Sequence, residues 1–446
     1  MLPADQLALT IPATTKPRVV VVGGGFAGVN LLKNLPGDLF QVVLLSKTNY
    51  FGFWPLLYQV ATAELEAESI GEPLRQLFEG HADFHFRCVN VSGLDPAAQV
   101  VHTPVGDLRY DYLVLATGTA TNFLGNQEIE QKSLGLKDIG EAVGLRNHLL
   151  QTFEQANLAQ APAERQRLLT FVLAGAGPTG VELAASLAQM RRHTLPQEYP
   201  DLDFGQMNIY LVDGADRVLP PMSDYASRHA HQYLQELGVG IKLKKLVDSY
   251  DGQTVTFKDG ETLAAGTLVW AAGVQGATIG GLPPEKIEHS RYLVNGFSMV
   301  LGYQNVFAVG DVALMKSPAF PKGHPQVAPP AMQQGTALGQ NLVRQLRGEP
   351  WQPFEYVDKG TLAIVGRGRA VADLPDNVHL GGRMAWLTWL TVHLFYLSGF
   401  RNKLLVATSW AYRIFTQQRG SSLIIQPRAP LESQAPPAQL GQAVAG

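Results

Sequence analysis

The stretch Phe171–Ala188, FVLAGAGPTGVELAASLA, decides how the rest of the chain is read. Apolar residues of strand character lead into Gly175, Gly177 and Gly180 at G-x-G-x-x-G spacing, and a helical pattern follows. The first glycine permits the sharp turn, the second lets the backbone approach a pyrophosphate, and the third lets helix and strand pack closely. The helix start then presents unpaired N–H groups and a positive dipole end to an anion. An earlier stretch, Arg18–Leu35, RVVVVGGGFAGVNLLKNL, repeats the plan with Gly23, Gly25 and Gly28. Its β-branched run suits a parallel strand buried on both faces, and Val29, Leu32 and Leu35 fall at helical spacing after the turn. One such turn is weak evidence. A strand before it and an amphipathic helix after it make it a dinucleotide cradle, and this chain has two.

The strand after each turn should end on an acid that grips an adenosine ribose. In NIYLVD the acid is Asp213, whose charge would repel the 2′-phosphate of NADPH and so favours NADH. In QVVLLS the position is Ser46, a neutral and weaker partner. The interval before Asp213 is long, and RRHTLPQEYPDLDFGQ (191–206), with Pro196 and Pro200, reads as an inserted loop. Two further strands end in small-residue turns: YDYLVLATGT (110–119) and NVFAVGDVA (305–313).

At 446 residues the chain should divide into two or three domains. A net charge of −3 gives no footing for nucleic acid. Cys88 is the single cysteine, so the chain has no internal disulfide or cysteine cluster, and the residue reads as a small buried apolar group. The eleven histidines lack ligand spacing, and no metal is expected. The first 17 residues, MLPADQLALTIPATTKP, read as a loose arm, and no apolar run reaches the roughly 18–20 residues that span a bilayer.

After Asp376 the character changes. GGRMAWLTWLTVHLFYLSGFRNKLLVATSWAYRIFTQQRG (381–420) has three tryptophans, no acidic residue, and fixed charges at Arg383, Arg401, Lys403, Arg413 and Arg419. Ser398-Gly399 divides it into two helices. On the second, Leu404, Ala407, Ala411, Ile414 and Phe415 form an apolar face, with Ser409, Arg413 and Thr416 as a polar wedge. Basic, aromatic-rich amphipathic helices settle into a membrane interface. A dimer contact or a flap over the core is the alternative. The tail from Pro427 is rich in Pro, Ala and Gln and is expected to be disordered.

Taken in order, the first glycine turn, ATG at 116–118, the second turn, AAG at 271–273 and AVGD at 308–311 resemble the flavoproteins with two dinucleotide-binding domains. The resemblance is closest to the type II NADH:quinone oxidoreductases and runs from about Arg18 to Ile425. It is carried by NYFGFWPLLYQVATAEL (49–65), GPTGVELA (177–184) and PKGHPQVAPPAMQQGTALGQNL (321–342). It implies an α/β fold of two Rossmann-type domains, the second inserted in the first, plus a C-terminal amphipathic helical segment at the membrane surface. The expected divisions are 16–125 with 296–375 for FAD, 126–295 for NADH, 376–425 for membrane and dimer contacts, and a tail from 426.

For non-covalent FAD the resemblance implies Gly23, Gly25, Phe26, Ala27, Gly28, Ser46, Lys47, Thr117, Gly118, Gly310, Asp311, Ala328 and Lys403. For NADH it implies Gly175, Gly177, Pro178, Thr179, Gly180, Asp213 and Gly273. Pro55–Ala61 would lie along the flavin ring, Glu182 near nicotinamide and flavin, and Gln333 and Gln334 where a membrane quinone, menaquinone or ubiquinone, arrives. Read alone, Glu182 has the alternative of a charge near a helix dipole, the two glutamines that of surface residues, and Trp54 and Tyr58 that of core. Pro329 departs from the family pattern, removing one polar contact to quinone. A homodimer on the cytoplasmic face of the cell membrane is the implied setting. Sulfide:quinone oxidoreductase, the nearest rival, needs two redox cysteines. A flavin-bound, redox-sensing scaffold is the non-enzymatic alternative.

Overall fold

A computed structural model describes residues 7–416 and 422–425. Arg419 and the tail from 426 lie outside the described residues. The apolar run Arg18–Val22 forms β1, which leads through the first glycine turn into α1 (Phe26–Leu32) and β2 (Gln41–Ser46). After α2 (Leu57–Ala61) come β3 (Phe84–Cys88) and β4 (Tyr112–Leu115). A second unit holds α3 (Ile139–Leu158), β5 (Thr170–Ala174), α4 (Pro178–Gln189), β6 (Asn208–Asp213), β7 (Gly240–Leu243) and β8 (Thr267–Trp270). The chain then returns to the first sheet with β9 (Val306–Ala308) and α5 (Ala328–Arg347).

The first sheet has the order β9-β4-β1-β2-β3 and the second β7-β6-β5-β8, and every pairing is parallel. The central strands are buried on both faces, which is why they are continuous apolar runs; all residues of β2 and β5 are buried. In each sheet the strand before the glycine turn has a later strand on either side. Each turn therefore sits at a topological switch point, where crevices open at the carboxyl ends of strands. The returning β9 makes the second unit an insertion in the first, and an antiparallel pairing of Thr119–Thr121 with Val274–Gly276 joins the two. Helix α5 approaches α1 closely because Gly335 and Gly339 face it; a Cβ at Gly335 would lie 2.2 Å from the Ala27 carbonyl oxygen.

At the C-terminal end, strands Thr361–Ile364, Ala370–Leu374 and Val378–Gly381 form an antiparallel sheet. Helices α6 (Gly382–Tyr396) and α7 (Phe400–Thr416) follow, separated as expected at Ser398-Gly399, where Gly399 has φ +79°. Trp389, Val406 and Trp410 bury one side of this pair in the core shared by α2, α3 and α4.

Four local expectations are corrected. The stretch 191–206 is not simply a loop: α4 continues through a π-helical turn, Met190–Thr194, into a short helix Leu195–Glu198. Pro196 occupies that helix's first turn, where a missing N–H costs nothing, and Leu195, Leu202 and Phe204 are buried. The described part of the N-terminal arm is pinned rather than loose: Leu9 N–H donates to Val105 O at 2.9 Å, and Gln41 Nε2 donates to Pro12 O at 3.1 Å. Cys88 is exposed at the end of β3. Arg413 points inward from α7 to pair with Glu64 at 2.5 Å, because the buried carboxylate needs a partner more than the surface needs another charge.

Candidate active site

The two glycine turns open into one cavity of about 1850 Å³. A single small-molecule site occupies about 300–1,000 Å³, so this space suits more than one ligand. The glycines divide their work as the spacing implies. Gly23 and Gly175 have φ of +113° and +112°, and a Cβ on either would strike a carbonyl oxygen of the neighbouring strand end, at 2.2 and 2.4 Å. A Cβ at Gly28 would lie 2.0 Å from Gly23 O, and one at Gly180 would lie 1.8 Å from Gly175 O, so both serve helix–strand packing. Gly25 and Gly177 have nothing within 4 Å of their Cβ directions and face the cavity.

Around the first turn the cavity wall includes Phe26, Ala27, Ser46, Lys47, Thr117 and Gly118. The buried Thr117 hydroxyl has no protein partner, a polar atom left for a ligand. Gly310, Asp311 and Ala328 close this end. Burial raises the Asp311 carboxyl, opposed by the charges of Lys137 and Arg291. Lys137 also lines the cavity, and burial lowers its ammonium while Asp311 raises it. The residues thus fit a dinucleotide on their own chemistry: two bare turns, an unpaired hydroxyl, and an acid and an ammonium facing the same space.

Around the second turn, Pro178, Thr179, Asp213 and Gly273 form the wall. Asp213 accepts from Ala176 N–H at 2.6 Å and from Ala215 N–H at 2.7 Å, so it braces the glycine turn as well as facing the cavity. Ser46 is buried, with Thr48 N–H donating to its Oγ at 3.4 Å.

Glu182, on α4, lines the cavity while only 8 % exposed. Burial raises its carboxyl to about 8, opposed by the Ile364 N–H, 3.4 Å from Oε1, and by the Trp389 indole. It is therefore largely a protonated, neutral donor at pH 7. His393 of α6 faces the same space. Burial lowers its imidazole to about 4, and its Nδ1 lies 2.8 Å from the Trp389 carbonyl. A carbonyl only accepts, so Nδ1 carries the proton and Nε2 is an acceptor.

The glutamines separate. Gln333 reaches the cavity, its amide clamped to Val357 through Nε2–H to O at 2.9 Å and N–H to Oε1 at 3.0 Å. Gln334 is buried outside the lining, its Oε1 accepting from Gly310 N–H at 2.7 Å. Lys403 also stands apart: Nζ donates to Phe395 O at 2.9 Å, satisfying a carbonyl at the end of α6. Trp54 and Pro55 form cavity wall, whereas Tyr58 is core. Lys137 and His393 went unnoticed in the sequence. Asp138, the N-cap of α3, was the one signal for Lys137, and a lone histidine in an apolar helix gave none.

Residues 17–335 match the pyridine nucleotide-disulphide oxidoreductase family, and 359–418 match the NDH2 C-terminal domain. The type II NADH:quinone oxidoreductase Ndh of Mycobacterium tuberculosis is 35% identical over 445 residues, covering 96% of this chain and 94% of that one. The structure of Plasmodium falciparum NDH2 in complex with NADH superposes with a TM-score of 0.85 at 20% identity, covering 92% of this chain and all of the other. The sulfide:quinone oxidoreductase of Aquifex aeolicus superposes with a TM-score of 0.69, also at 20% identity, over 90% of this chain and 96% of that one. Those structural likenesses speak for the fold alone. The two bare turns on one cavity, the single cysteine and the 35% identity agree, and the chain belongs to the type II NADH:quinone oxidoreductases, flavoproteins that carry electrons from NADH to a quinone.

Proposed function

We propose that non-covalent FAD lies along the first turn and NADH along the second, with their reactive rings meeting beside Glu182, and that a membrane quinone, menaquinone or ubiquinone, takes the electrons. The observation that carries this reading is the single cavity lined by both turns with Glu182 on its wall. Residues 16–125 and 296–375 form the FAD-binding part, 126–295 the NADH-binding part, and 376–425 the membrane and dimer contacts.

Bound flavin supplies the two-electron chemistry that no side chain here has. The protein binds, orients and supplies protons. The helix starts after each turn face the pyrophosphates, Asp311 and Lys137 fix the flavin's sugar-phosphate stretch, and Asp213 grips the NADH ribose. Glu182, protonated at neutral pH, gives its proton to the quinone or orients the nicotinamide. His393, with an open Nε2, accepts from an N–H or O–H in the cavity.

Long-tailed quinones stay in lipid, so the reaction belongs at a membrane surface. Phe395, Phe400, Leu404 and Phe415 are 72%, 83%, 54% and 86% exposed on α6 and α7. Arg383, Arg401 and Lys403 stand in the same segment, each worth about 1 kcal/mol near anionic lipid. Among the described residues no helix is long and apolar enough to cross a membrane. We read the chain, as its family resemblance implies, as a peripheral homodimer on the cytoplasmic face, oxidising NADH without pumping protons. Cosedimentation with anionic vesicles tests the attachment: the account expects binding that weakens with salt and with Phe400→Ser/Phe415→Ser, and unchanged binding in that variant contradicts it.

A further inference from the structure

A cluster of lysines and acids surrounds Asp213, the acid at the end of β6. The stretch that follows β7 runs beside it: Lys245 N–H donates to Asp213 O at 3.0 Å, and Lys244 N–H donates to Ala215 O at 2.9 Å. Asp213, Gly214, Lys245, Leu246 and Lys258 all line the cavity. Exposed Leu246 lies over Gly214, where a Cβ would come 2.6 Å from its Cδ2. This end of the cavity therefore offers an apolar shelf, the surface a flat base rests on, next to the acid that grips a ribose.

A hairpin turn reaches the same rim. Lys258, Asp259 and Glu261 stand between the strands Thr254–Phe257 and Thr262–Ala264, and Lys258 N–H donates to Leu246 O at 2.9 Å. Asp259 and Glu261 both take the Lys245 ammonium, Glu261 at 2.6 Å, and Glu261 also meets Lys242 at 2.6 Å. Their hydrogen bonds, that of Asp259 first, hold the Lys245 ammonium above its ordinary range. Exposed ion pairs add little to stability, so these acids do little for the fold. What they alter is the charge beside a bound ribose.

NADPH differs from NADH by a phosphate on the 2′ oxygen of that ribose. A lysine is a compact charge on a flexible stem and takes a phosphate readily. A free Lys245 would offset the repulsion that Asp213 exerts on this phosphate; a paired one does not. Arg217, the cation on the loop after β6, is spoken for as well: it meets Asp224 and donates to Pro220 O at 2.8 Å and Met222 O at 3.0 Å.

We propose that Lys245 is a second determinant of nucleotide choice: Asp259 and Glu261 engage its ammonium and withhold it from a 2′-phosphate, so rejection of NADPH depends on this turn as well as on Asp213. This rests on the reading of the second glycine turn as the NADH site.

The test titrates NAD⁺ and NADP⁺ calorimetrically into the full-length, FAD-loaded protein, where binding is read without turnover. In D259N/E261Q the ratio of the NADP⁺ to the NAD⁺ dissociation constant should fall about fivefold or more. Adding K245Q to that pair should remove the gain. Raising the ionic strength from about 0.01 M to about 0.15 M should shrink it. K245Q alone leaves both acids unpaired at the rim and should raise the ratio about threefold, so it answers even if the double variant folds poorly. Stopped-flow flavin reduction by NADPH and NADH should move in parallel. A wild-type ratio in both D259N/E261Q and K245Q, or a gain that survives K245Q, would overturn the inference alone. FAD-loaded wild type that takes up neither NAD⁺ nor NADH would overturn the reading of the second turn and the inference with it.

Discussion

The side-chain oxygen of Gln334 accepts the Gly310 N–H at 2.7 Å, which ties α5 to the turn that presents Asp311. The family resemblance places this glutamine at the quinone; in the structure its side chain braces the turn that presents Asp311. Gln334→Leu leaves the Gly310 N–H buried without a partner, at a cost of about 1–3 kcal/mol. The expected result is FAD affinity weakened about tenfold or more, with the KM for quinone in fully loaded enzyme unchanged. Flavin titration by fluorescence and steady-state kinetics check the two halves.

Glu182 gives a pH signature with a definite sign. Its folded value, about 8, stands above the ordinary 4.5, so the folded state keeps a proton that the unfolded chain has lost between those values. Stability from this group is therefore full below about pH 4.5 and declines as pH rises to about 8. Glu182→Gln removes that decline. Melting curves from pH 5 to pH 8 should show the variant gaining on wild type as pH rises, by on the order of a few kcal/mol at the upper end.

Asp213 holds two backbone N–H groups and faces the cavity. Asp213→Asn keeps one acceptor oxygen and turns an amide N–H₂ toward the other donor. NADH affinity should fall about 10- to 100-fold, by roughly 1–3 kcal/mol, and the preference over NADPH should narrow because the repelling charge is gone. Stopped-flow flavin reduction at varied NADH and NADPH reads both effects.

Lys137→Gln removes the ammonium whose charge opposes the upward shift of the buried Asp311 carboxyl, so that carboxyl moves further up. Flavin retention should fall about tenfold. The loss should be greatest at low pH and ease as pH rises, the direction in which Asp311 ionises. Equilibrium dialysis of FAD at several pH values checks it.

Much of this architecture was legible because glycine has few substitutes. Gly23, Gly175, Gly28 and Gly180 occupy places where a Cβ meets a carbonyl oxygen, so their spacing between an apolar strand and an amphipathic helix marked two dinucleotide cradles. The break at Ser398-Gly399 was legible for the same reason, since Gly399 takes a positive φ. The stretch 191–206 was misread because proline reads as a breaker unless its place in the helix is known, and Pro196 sits in a first turn. Arg413, Lys403 and Gln334 were legible as residues but not as roles, and Lys137 was not legible at all. Which partner each meets depends on contacts between distant segments, such as Glu64 with Arg413 and Lys137 with Asp311, and local pattern does not encode those.

The most direct test of the central claim is anaerobic stopped-flow of the FAD-supplied protein, first with NADH and then with a soluble menaquinone or ubiquinone analogue. NADH should bleach the flavin absorbance in one turnover, and the quinone should restore it. Protein that stays colourless after FAD is supplied, or flavin that NADH does not bleach, would contradict the meeting of two dinucleotides in one cavity.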